Sequence, residues 1–420
     1  MTAGWTETAR AETERAQTAR AETARAAAAT AATAAAQPVV GTGRAAGTAE
    51  AARLVERWLL RGGAQIEEGP QRGAVAGWLD RDGRPEFVYL EITGYYLTTM
   101  AWLASGAASS PERAAEAHAH GRQALDWITR GLADGGVPPT RLYLSSGRSD
   151  WRNAGVFTFD LAMAARGVTS FADTDPRAER RDAARKTAAD LCALVDGICA
   201  GAALLRSHDT VGGAPLPDRW STRPGPHHLK AAAALLRVPD GVLRTPLVRV
   251  CRRTRAHWEA RLAEAWPCRE LHPLLYGIEG LLLAPPEPSA EGGATEGGAD
   301  PRLELVERIY TRLMGLQHGD GTLAETTAGG KVRSDVLAQA LRIGLLLRRR
   351  GLLRGDDWAG RLEALAGALL GFVRPDGKVL FSGDQDIANV WCAMFAHQAL
   401  LLHSRTTDPR LPSVFSELLV

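Results

Sequence analysis

The sequence has few aromatic residues, few cysteines and almost no net charge, and each shortage excludes a class of protein. Aromatic residues make up 6% of the 420 residues, while alanine, leucine and arginine are abundant. This balance favours helix over sheet, because these three residues lose little conformational freedom in a helix. The five cysteines are too few and too scattered for a disulfide framework, which fits a reducing cytoplasm. The formal net charge of +2 gives no support for a nucleic-acid partner.

Long apolar runs are also missing. Crossing a bilayer takes about 20 apolar residues, and Arg, His or Gln interrupts the longest candidates. We therefore expect no membrane partner and a cytoplasmic location. Residues 6–25 read as four pentads, TETAR-AETER-AQTAR-AETAR, followed by an Ala/Thr tract. Because a secretory signal needs a continuous apolar core, we interpret residues 1–46 as a low-complexity, disordered tail. Residues 47–420 are predicted to form a single domain.

Beyond the tail, the spacing of apolar residues is helical almost throughout. Segments with this spacing are 48–61, 90–105, 112–132, 153–167, 175–199, 225–238, 243–265, 271–284, 301–316, 333–350, 357–373 and 385–403. Residues 74–79 and 86–89 have a strand pattern on either side of Asp82-Gly83. These two pieces predict a small β-hairpin.

The helical segments alternate in character. Segments such as 112–132 and 175–199 are charged along one side, which suits an outer layer. Those between them, such as LEITGYYLTTMAWLA and HPLLYGIEGLLL, are apolar nearly all round and suit a buried layer. The alternation predicts an all-α fold, an α/α toroid of six inner and six outer helices decorated by the hairpin. An open α-solenoid is the alternative, but the inner segments begin at irregular intervals, unlike the regular repeats of a solenoid.

Polar side chains recur at i, i+4 and i+7 near the start of each inner segment, a spacing that places them on one helix face. The sets are Glu91, Tyr95 and Thr98; Asn153, Phe157 and Asp160, in which Phe157 is an apolar break; Arg223, His227 and Lys230; His272, Tyr276 and Glu279; Asp335, Gln339 and Arg342; and Gln385, Asn389 and Cys392. If the inner helices all begin on one side of the ring, these sets line a single funnel. A water-filled ligand site removes the cost of burying polar groups in an apolar layer. Satisfied hydrogen bonds around a closed axis are the alternative.

A funnel of this kind predicts a small-molecule or glycan substrate, anionic ones included, because helix N-termini favour anionic or oxygen-rich ligands. His272, Tyr276 and Glu279 lie on one face and could serve as base, acid and orienting carboxylate. Tryptophans close to the polar sets could stack on sugar rings. The residues predicted to bind the substrate are Asp160, Arg223, His227, His228, Gln339, Arg342, Asn389 and Trp391.

Other toroid chemistries depend on motifs that the sequence lacks. Terpene cyclases need an acidic DxDD or DDxxD cluster, and neither occurs. Cys268, His272 and Cys392 could form a tetrahedral zinc site. The Cys-His-Gly and Trp-Cys-Tyr-Gly signatures of lanthionine cyclases are missing, however. We therefore expect no cofactor, with zinc as the minor alternative.

Three stretches of the chain resemble repeated phrases in toroid proteins of polysaccharide-biosynthesis clusters. They are YLEITGYYLTTMAWL (89–103), LHPLLYGIEGLLL (271–283) and RSDVLAQALRIGLLL (333–347). More broadly, the layout resembles that of six-hairpin glycosidases, polysaccharide lyases and sugar epimerases. The resemblance implies that the catalytic residues facing the substrate are Glu91, Tyr95, His272, Tyr276, Glu279 and Asp335.

The leading hypothesis is a carbohydrate-active enzyme. Paired carboxylates would favour glycoside hydrolysis, whereas a Tyr/His pair would favour lyase or epimerase chemistry. A cyclase-like tailoring protein acting on a peptide or another metabolite is one alternative. A non-catalytic binding or scaffold toroid is the other.

Overall fold

The computed structural model describes residues 44–133, 136, 140–145, 147–213, 215–239, 241–284 and 300–406. Most of the predicted tail, residues 1–46, lies outside these residues. In chain order, the helices described are α1 (Arg44–Arg61), α2 (Leu90–Trp102), α3 (Pro111–Ala133), α4 (Thr158–Ala172), α5 (Ala178–Ile198), α6 (His227–Leu235), α7 (Thr245–Glu264), α8 (Leu271–Leu283), α9 (Pro301–Met314), α10 (Ser334–Arg349), α11 (Asp356–Leu370) and α12 (Val390–Ser404). The predicted all-α toroid is confirmed.

The helices form two layers that differ in burial. Even-numbered helices are inner: every residue of α6 and of α8 is buried. Odd-numbered helices are outer: α3 buries only Ala117, Gly121, Ala124 and Ile128, along one stripe. The alternation of apolar and amphipathic segments in the sequence therefore corresponds to the two layers of the ring.

The inner helices form a closed ring. Each packs against the next along the chain, from α2 to α12, and α12 packs against α2 to close the circle. Helix α1 covers the junction from outside by packing on α12. An open solenoid would leave its first and last helices apart, so the closed ring excludes that alternative.

Glycine allows two inner helices to approach closely. A Cβ added at Gly94 of α2 would lie 2.7 Å from backbone atoms of Met163 and Ala164 in α4. Gly167 of α4 faces Gly94 in the same way. Real Cβ atoms do not approach other atoms so closely, so the α2–α4 spacing requires glycine at these positions.

We expect Gly94→Ala to destabilise the fold by about 1–3 kcal/mol, because the added methyl group must push two packed backbones apart. Gly131→Ala is the matched control, since Gly131 lies in outer helix α3 with nothing within 4 Å of an added Cβ. The control should gain about 0.5–1 kcal/mol from helix propensity. Urea unfolding of both variants measures the difference. Equal stabilities would show that the α2–α4 contact is looser than described.

Short antiparallel strands surround the end of the ring at which the inner helices begin. The strands are β1 (Trp78–Leu79), β2 (Phe87–Tyr89), β3 (Arg141–Tyr143), β4 (Gly155–Phe157), β5 (His208–Thr210), β6 (Ala324–Thr326), β7 (Gly329–Val332) and β8 (Ala388–Asn389). The pairs are β1 with β8, β2 with β3, β4 with β5, and β6 with β7. Strands β2, β4 and β8 lead directly into α2, α4 and α12.

The predicted hairpin is present, and it also joins distant parts of the chain. Bridges link Ala76 to Val88 and Leu79 to Pro85 around the Asp82-Gly83 turn. Strand β1 in addition pairs with β8, more than 300 residues away. These long-range pairs hold loops from different parts of the sequence around one end of the ring.

Three inner helices begin two or more residues later than predicted. Helix α4 begins at Thr158 instead of 153, because a 3-10 turn at Trp151–Asn153 and strand β4 come first. Helix α6 begins at His227, after the helix-disfavouring pair Gly225-Pro226. Helix α12 begins at Val390 instead of 385. No helix in the described ranges is both long and apolar enough to cross a bilayer.

Candidate active site

A cavity of about 510 Å³ opens where the inner helices begin. Every inner helix contributes to its wall within or just before its first two turns. The contributions are Glu91 and Ile92 from α2, Phe159 and Asp160 from α4, His227 from α6, His272 and Tyr276 from α8, Arg333 from the residue before α10, and Trp391 from α12. The inner helices thus share one basin, although only some members of the polar sets line it.

The cavity walls are rich in aromatic rings. Tryptophans from four separate places in the chain line it: Trp78, Trp151, Trp220 and Trp391. Trp220 packs edge-on against the rings of His227 and His272, with centroids 5.4 and 5.8 Å apart. Indole faces offer flat apolar surfaces beside N–H donors. Such walls suit a ligand that is flat and apolar on its faces and polar at its rim.

Two carboxyl groups, Glu91 and Asp160, lie close enough in this cavity for their charges to interact. Burial raises the pKa of Glu91 to about 7, although the Lys230 charge lowers it. Burial and the Glu91 charge raise the pKa of Asp160 well above its usual range, although Arg152 and Arg141 lower it. Asp160 Oδ2 is buried, with no hydrogen-bond partner among the described residues. Near neutral pH the pair therefore shares a proton.

We expect Glu91→Gln to remove part of the pH dependence of stability. The pKa of Glu91 is about 7 in the fold and 4.5 when unperturbed, so the folded protein binds the extra proton between these values. Wild-type stability should therefore fall as pH rises from about 4.5 to 7. The variant should be more stable than wild type by about 1–3 kcal/mol at pH 8. This difference in the free energy of unfolding should be smaller at pH 4.5. Urea unfolding at both pH values checks this, and a pH-independent difference would contradict it.

The hydrogen bonds around His272 determine which of its ring nitrogens carries the proton. Gln339 Nε2 donates to Glu279 Oε1 at 3.3 Å, which turns Gln339 Oε1 towards His272 Nδ1 at 2.6 Å. His272 Nδ1 must then donate, so Nε2 is the unprotonated nitrogen. Burial lowers the pKa of His272 to about 4, although Asp335 raises it. His272 is therefore a neutral acceptor at pH 7.

A charged cluster lies beneath the cavity, at the centre of the ring. Lys230 Nζ is 2.7 Å from Glu279 Oε2, and Arg342 contacts the other carboxylate oxygen. The side chains of all three are completely buried. Lys230 also donates to the Tyr95 hydroxyl at 3.3 Å, and Tyr95 donates to the Tyr276 hydroxyl at 3.0 Å. Because Tyr276 lines the cavity, this chain of hydrogen bonds joins the buried cluster to the cavity wall.

The residues predicted to be catalytic therefore occupy two depths. Glu91, His272 and Tyr276 line the cavity. Tyr95 and Glu279 lie in the buried cluster below it, together with Gln339 and Arg342 from the predicted binding set. Asp335 is completely buried behind the wall, where its carboxylate accepts from Arg333 at 2.6 and 3.1 Å and from Trp391 at 3.3 Å.

Besides Gln339 and Arg342, three more residues predicted to bind substrate lie away from the cavity wall. Arg223 precedes α6, is largely exposed and pairs with Asp218. His228 is buried in α6, one position round the helix from His227, which lines the cavity. Asn389 caps α12, with its side-chain oxygen accepting from the Cys392 N–H at 3.0 Å. Asp160, His227 and Trp391 do line the cavity.

The zinc alternative finds no matching geometry in the part of the chain that is described. No group of three or more His, Cys, Asp or Glu side chains there is placed to hold a metal ion. Cys268, His272 and Cys392 therefore do not converge on one point. Cys392 is buried in α12, where burial raises the pKa of its thiol well above the usual range.

The helical spacing did not identify the basic residues of the cavity. Arg141 comes from β3, Arg152 from the turn before β4, Arg219 from the loop before α6, and Arg333 from the residue before α10. They lie in strands and loops, which carry no helical period. One feature of the sequence could have identified Arg152. The pair Trp151-Arg152 comes directly before a predicted inner helix, and residues in that position lie at the cavity end of the ring.

No family model matches the chain, and no curated protein sequence matches it significantly. Solved structures do share its fold. A cellobiose 2-epimerase from Spirochaeta thermophila is similar with a TM-score of 0.59 and 15% identity, over 86% of this chain and 96% of that one. A D-mannose isomerase has a TM-score of 0.60 and 10% identity, over 89% and 100% of the two chains. An unsaturated glucuronyl hydrolase specific for heparin has a TM-score of 0.57 and 12% identity, over 87% and 98%.

At these identities the likeness shows the fold. The chain is an α/α toroid whose inner-helix N-termini open into one aromatic-walled cavity. The three neighbours are an epimerase, an isomerase and a hydrolase, so a shared fold does not choose among reactions. The residues in this chain's own cavity must do so.

Proposed function

We propose that the protein is a carbohydrate-active enzyme that cleaves a glycosidic bond. Asp160 is the general acid and Glu91 is the general base or nucleophile. The observation that carries this proposal is the interacting pair of carboxyls in a cavity with four tryptophans in its walls. Glycosidases use two carboxyls whose environments separate their pKa values, one protonated and one ionised.

The environments of the two groups assign the roles. Burial and the Glu91 charge raise the pKa of Asp160 well above its usual range, so it keeps its proton and can donate it to the departing glycosidic oxygen. Glu91 lies near the Lys230 charge, which favours its ionised form. It can accept a proton from an attacking water. Alternatively it can bond to the anomeric carbon directly, and a water that Asp160 deprotonates then attacks that carbon and releases Glu91. The separation of the carboxyls in a sugar complex would distinguish inversion from retention.

The aromatic walls support a sugar over a peptide or another metabolite. Pyranose rings present flat C–H faces and a rim of hydroxyls, and indole rings pack against such faces. The known sugar-processing activities of the structural neighbours agree with this assignment.

A second candidate function is sugar isomerisation or epimerisation with His272 as the base. One specific observation favours it: His272 Nε2 is unprotonated, and the Tyr276 ring lies 4.3 Å away, centroid to centroid. Such a pair could remove a proton from a carbon beside a carbonyl group. The low pKa of His272, about 4, makes it a weak base at neutral pH, which is why we place it second.

Incubating the purified protein with a panel of free sugars, disaccharides and glycosides in D₂O tests both candidates. Hydrolysis should release new reducing ends, which proton NMR detects, with no deuterium bound to sugar carbon. Deuterium at the carbon beside the anomeric carbon, without bond cleavage, would instead select the isomerase. Turnover in neither assay, by a protein that also binds none of the sugars, would overturn the proposal and favour a non-sugar ligand.

A further inference from the structure

The walls of the cavity carry more positive charge than the proposed cleavage requires. Arg141, Arg152, Arg219 and Arg333 all line it. Arg333 is neutralised by the Asp335 carboxylate, which it meets through two hydrogen bonds. Nothing in the proposed cleavage accounts for the other three guanidinium groups.

Arg141 and Arg152 share a single carboxylate. Asp150 Oδ2 lies 3.4 Å from Arg141 Nη1 and 3.0 Å from Arg152 Nη1. The same oxygen also accepts from the Tyr143 hydroxyl at 3.2 Å. One carboxylate cannot neutralise two guanidinium groups, so this wall keeps a positive charge.

Arg141 is buried and incompletely paired. Its side chain is only 8% exposed, and its guanidinium stacks 3.7 Å above the Phe87 ring. Its Nε is buried with no hydrogen-bond partner among the described residues. A buried guanidinium is costly unless its N–H groups find acceptors. An anion bound beside it would offset that cost.

The carboxyl pair cancels at most one of these charges, because Glu91 and Asp160 share a proton near neutral pH. Together with Asp150 it leaves the guanidinium groups of Arg141, Arg152 and Arg219 with a net positive charge. The N-terminal ends of the inner helices also face the cavity. Helix N-termini carry partial positive charge and so favour anions. Geometry and charge therefore point to the same kind of ligand.

We propose that the substrate is an acidic sugar, whose carboxylate, phosphate or sulfate group binds to Arg141 and Arg152. This inference rests on the proposed function and adds the substrate class to it. The anionic group lies near Asp160, since both arginines act on that carboxyl. A negative charge there opposes ionisation of Asp160. Binding of an acidic substrate thus helps the acid keep its proton.

Binding measurements on matched sugar pairs test the inference. Ligand-observed NMR compares D-glucose, D-galactose and D-mannose with their uronates and 6-phosphates. We expect at least one acidic form to bind about 10- to 100-fold more tightly than its neutral parent, the usual effect of charge-assisted hydrogen bonds. This preference should weaken between 20 mM and 200 mM salt, roughly as screening predicts. A uronate preference assigns a carboxylate, and a 6-phosphate preference assigns a phosphate ester.

Arg152→Gln should lose most of the acidic preference, measured as the ratio of the dissociation constants of the neutral and the acidic sugar. Arg152 is partly exposed, so we expect the variant to fold, and circular dichroism checks this. Arg141→Lys keeps the charge but loses the planar guanidinium, and should lose part of the preference. Arg185→Gln, on outer helix α5, is the matched control because Arg185 also pairs with one nearby carboxylate, Asp182.

The outcomes separate this inference from the proposed function. In one outcome, neutral and acidic sugars bind equally, with no change in Arg152→Gln. That result overturns the proposal of an acidic substrate but does not contradict the proposed cleavage of a glycosidic bond. Inorganic phosphate that binds as tightly as the sugar phosphates also overturns it, because the sugar would then contribute nothing. Binding of no sugar at all, neutral or acidic, overturns both.

Discussion

Asp160→Asn should reduce turnover of an unactivated glycoside by about 10²- to 10⁴-fold, the usual contribution of a general acid. Asn has nearly the same shape as Asp but has no proton to donate to the leaving oxygen. Asp160 is buried with one oxygen unpaired among the described residues, so the substitution breaks no observed bond to that oxygen. The variant should therefore fold normally. Rates measured under saturating and limiting substrate quantify the loss.

The dependence on leaving group shows whether Asp160 acts as an acid or only supports the structure. A dinitrophenolate leaves without protonation, so the variant should cleave dinitrophenyl glycosides at rates much closer to those of wild type. A structural defect would slow activated and unactivated substrates equally. Glu179→Gln, an exposed carboxyl on α5, is the matched control and should leave both rates unchanged. A loss of only a few fold in Asp160→Asn on unactivated substrates would contradict the assigned role.

The pH dependence of activity follows from the same pair. Glu91 must be ionised to act as base or nucleophile, so activity should rise as pH increases through about 7. At higher pH activity should fall again, as Asp160 loses its proton. The rise and the fall of activity with pH both report pKa values of the pair and not of one residue, because the two groups titrate together.

Glu279→Gln should lower the free energy of unfolding by about 3–5 kcal/mol, the usual result of removing one partner from a buried ion pair. Lys230 and Arg342 would remain at the dry centre of the ring without their counter-charge. Burial already lowers the pKa of Lys230 to about 7, even though Glu279 raises it. Urea unfolding measures the change.

The matched control for Glu279 is Asp190→Asn. Asp190 lies 2.9 Å from Lys186 Nζ, but both side chains are largely in solvent. The control should change stability by less than about 1 kcal/mol. Adding Lys230→Met to Glu279→Gln should recover part of the loss, because one stranded charge is removed. If Glu279→Gln proved as mild as Asp190→Asn, the central cluster would have to be hydrated instead of dry.

The stability of Glu279→Gln should also depend on pH. Without Glu279, the folded state favours neutral Lys230 even more strongly, whereas the unfolded chain keeps that lysine charged up to its usual pKa of 10.5. The unfolded state then binds more protons over this range, so stability rises with pH. We expect the loss to be smaller at pH 9 than at pH 6.

Helical periodicity in the sequence was sufficient to predict the ring and the shared basin. It could not predict how far below the cavity each side chain lies. A residue seven positions along a helix lies about 10 Å deeper than the first, so Glu91 and His272 reach the cavity, whereas Glu279 and Arg342 lie in the buried cluster. Where a helix begins also matters: the spacing predicts Arg223 on a face of α6, but the helix begins at His227.

The parts of the site that come from loops were beyond prediction for a different reason. Arg141 and Trp78 enter the cavity through strand pairs between distant segments, β2 with β3 and β1 with β8. Short strands of two or three residues carry almost no pattern, and which strands pair depends on the closed ring. A sequence can therefore indicate an inner helix without indicating which loops cover its end.

The most direct test of this account is the titration of Glu91 and Asp160 by carbon-13 NMR of labelled side-chain carboxyls. Glu91→Gln and Asp160→Asn assign the two resonances by their disappearance. We predict that Glu91 titrates near 7, that Asp160 titrates well above its usual range, and that removing Glu91 lowers the pKa of Asp160. Two carboxyls that titrate independently near 4 would show that the pair is hydrated and uncoupled, and would contradict the proposed acid and base.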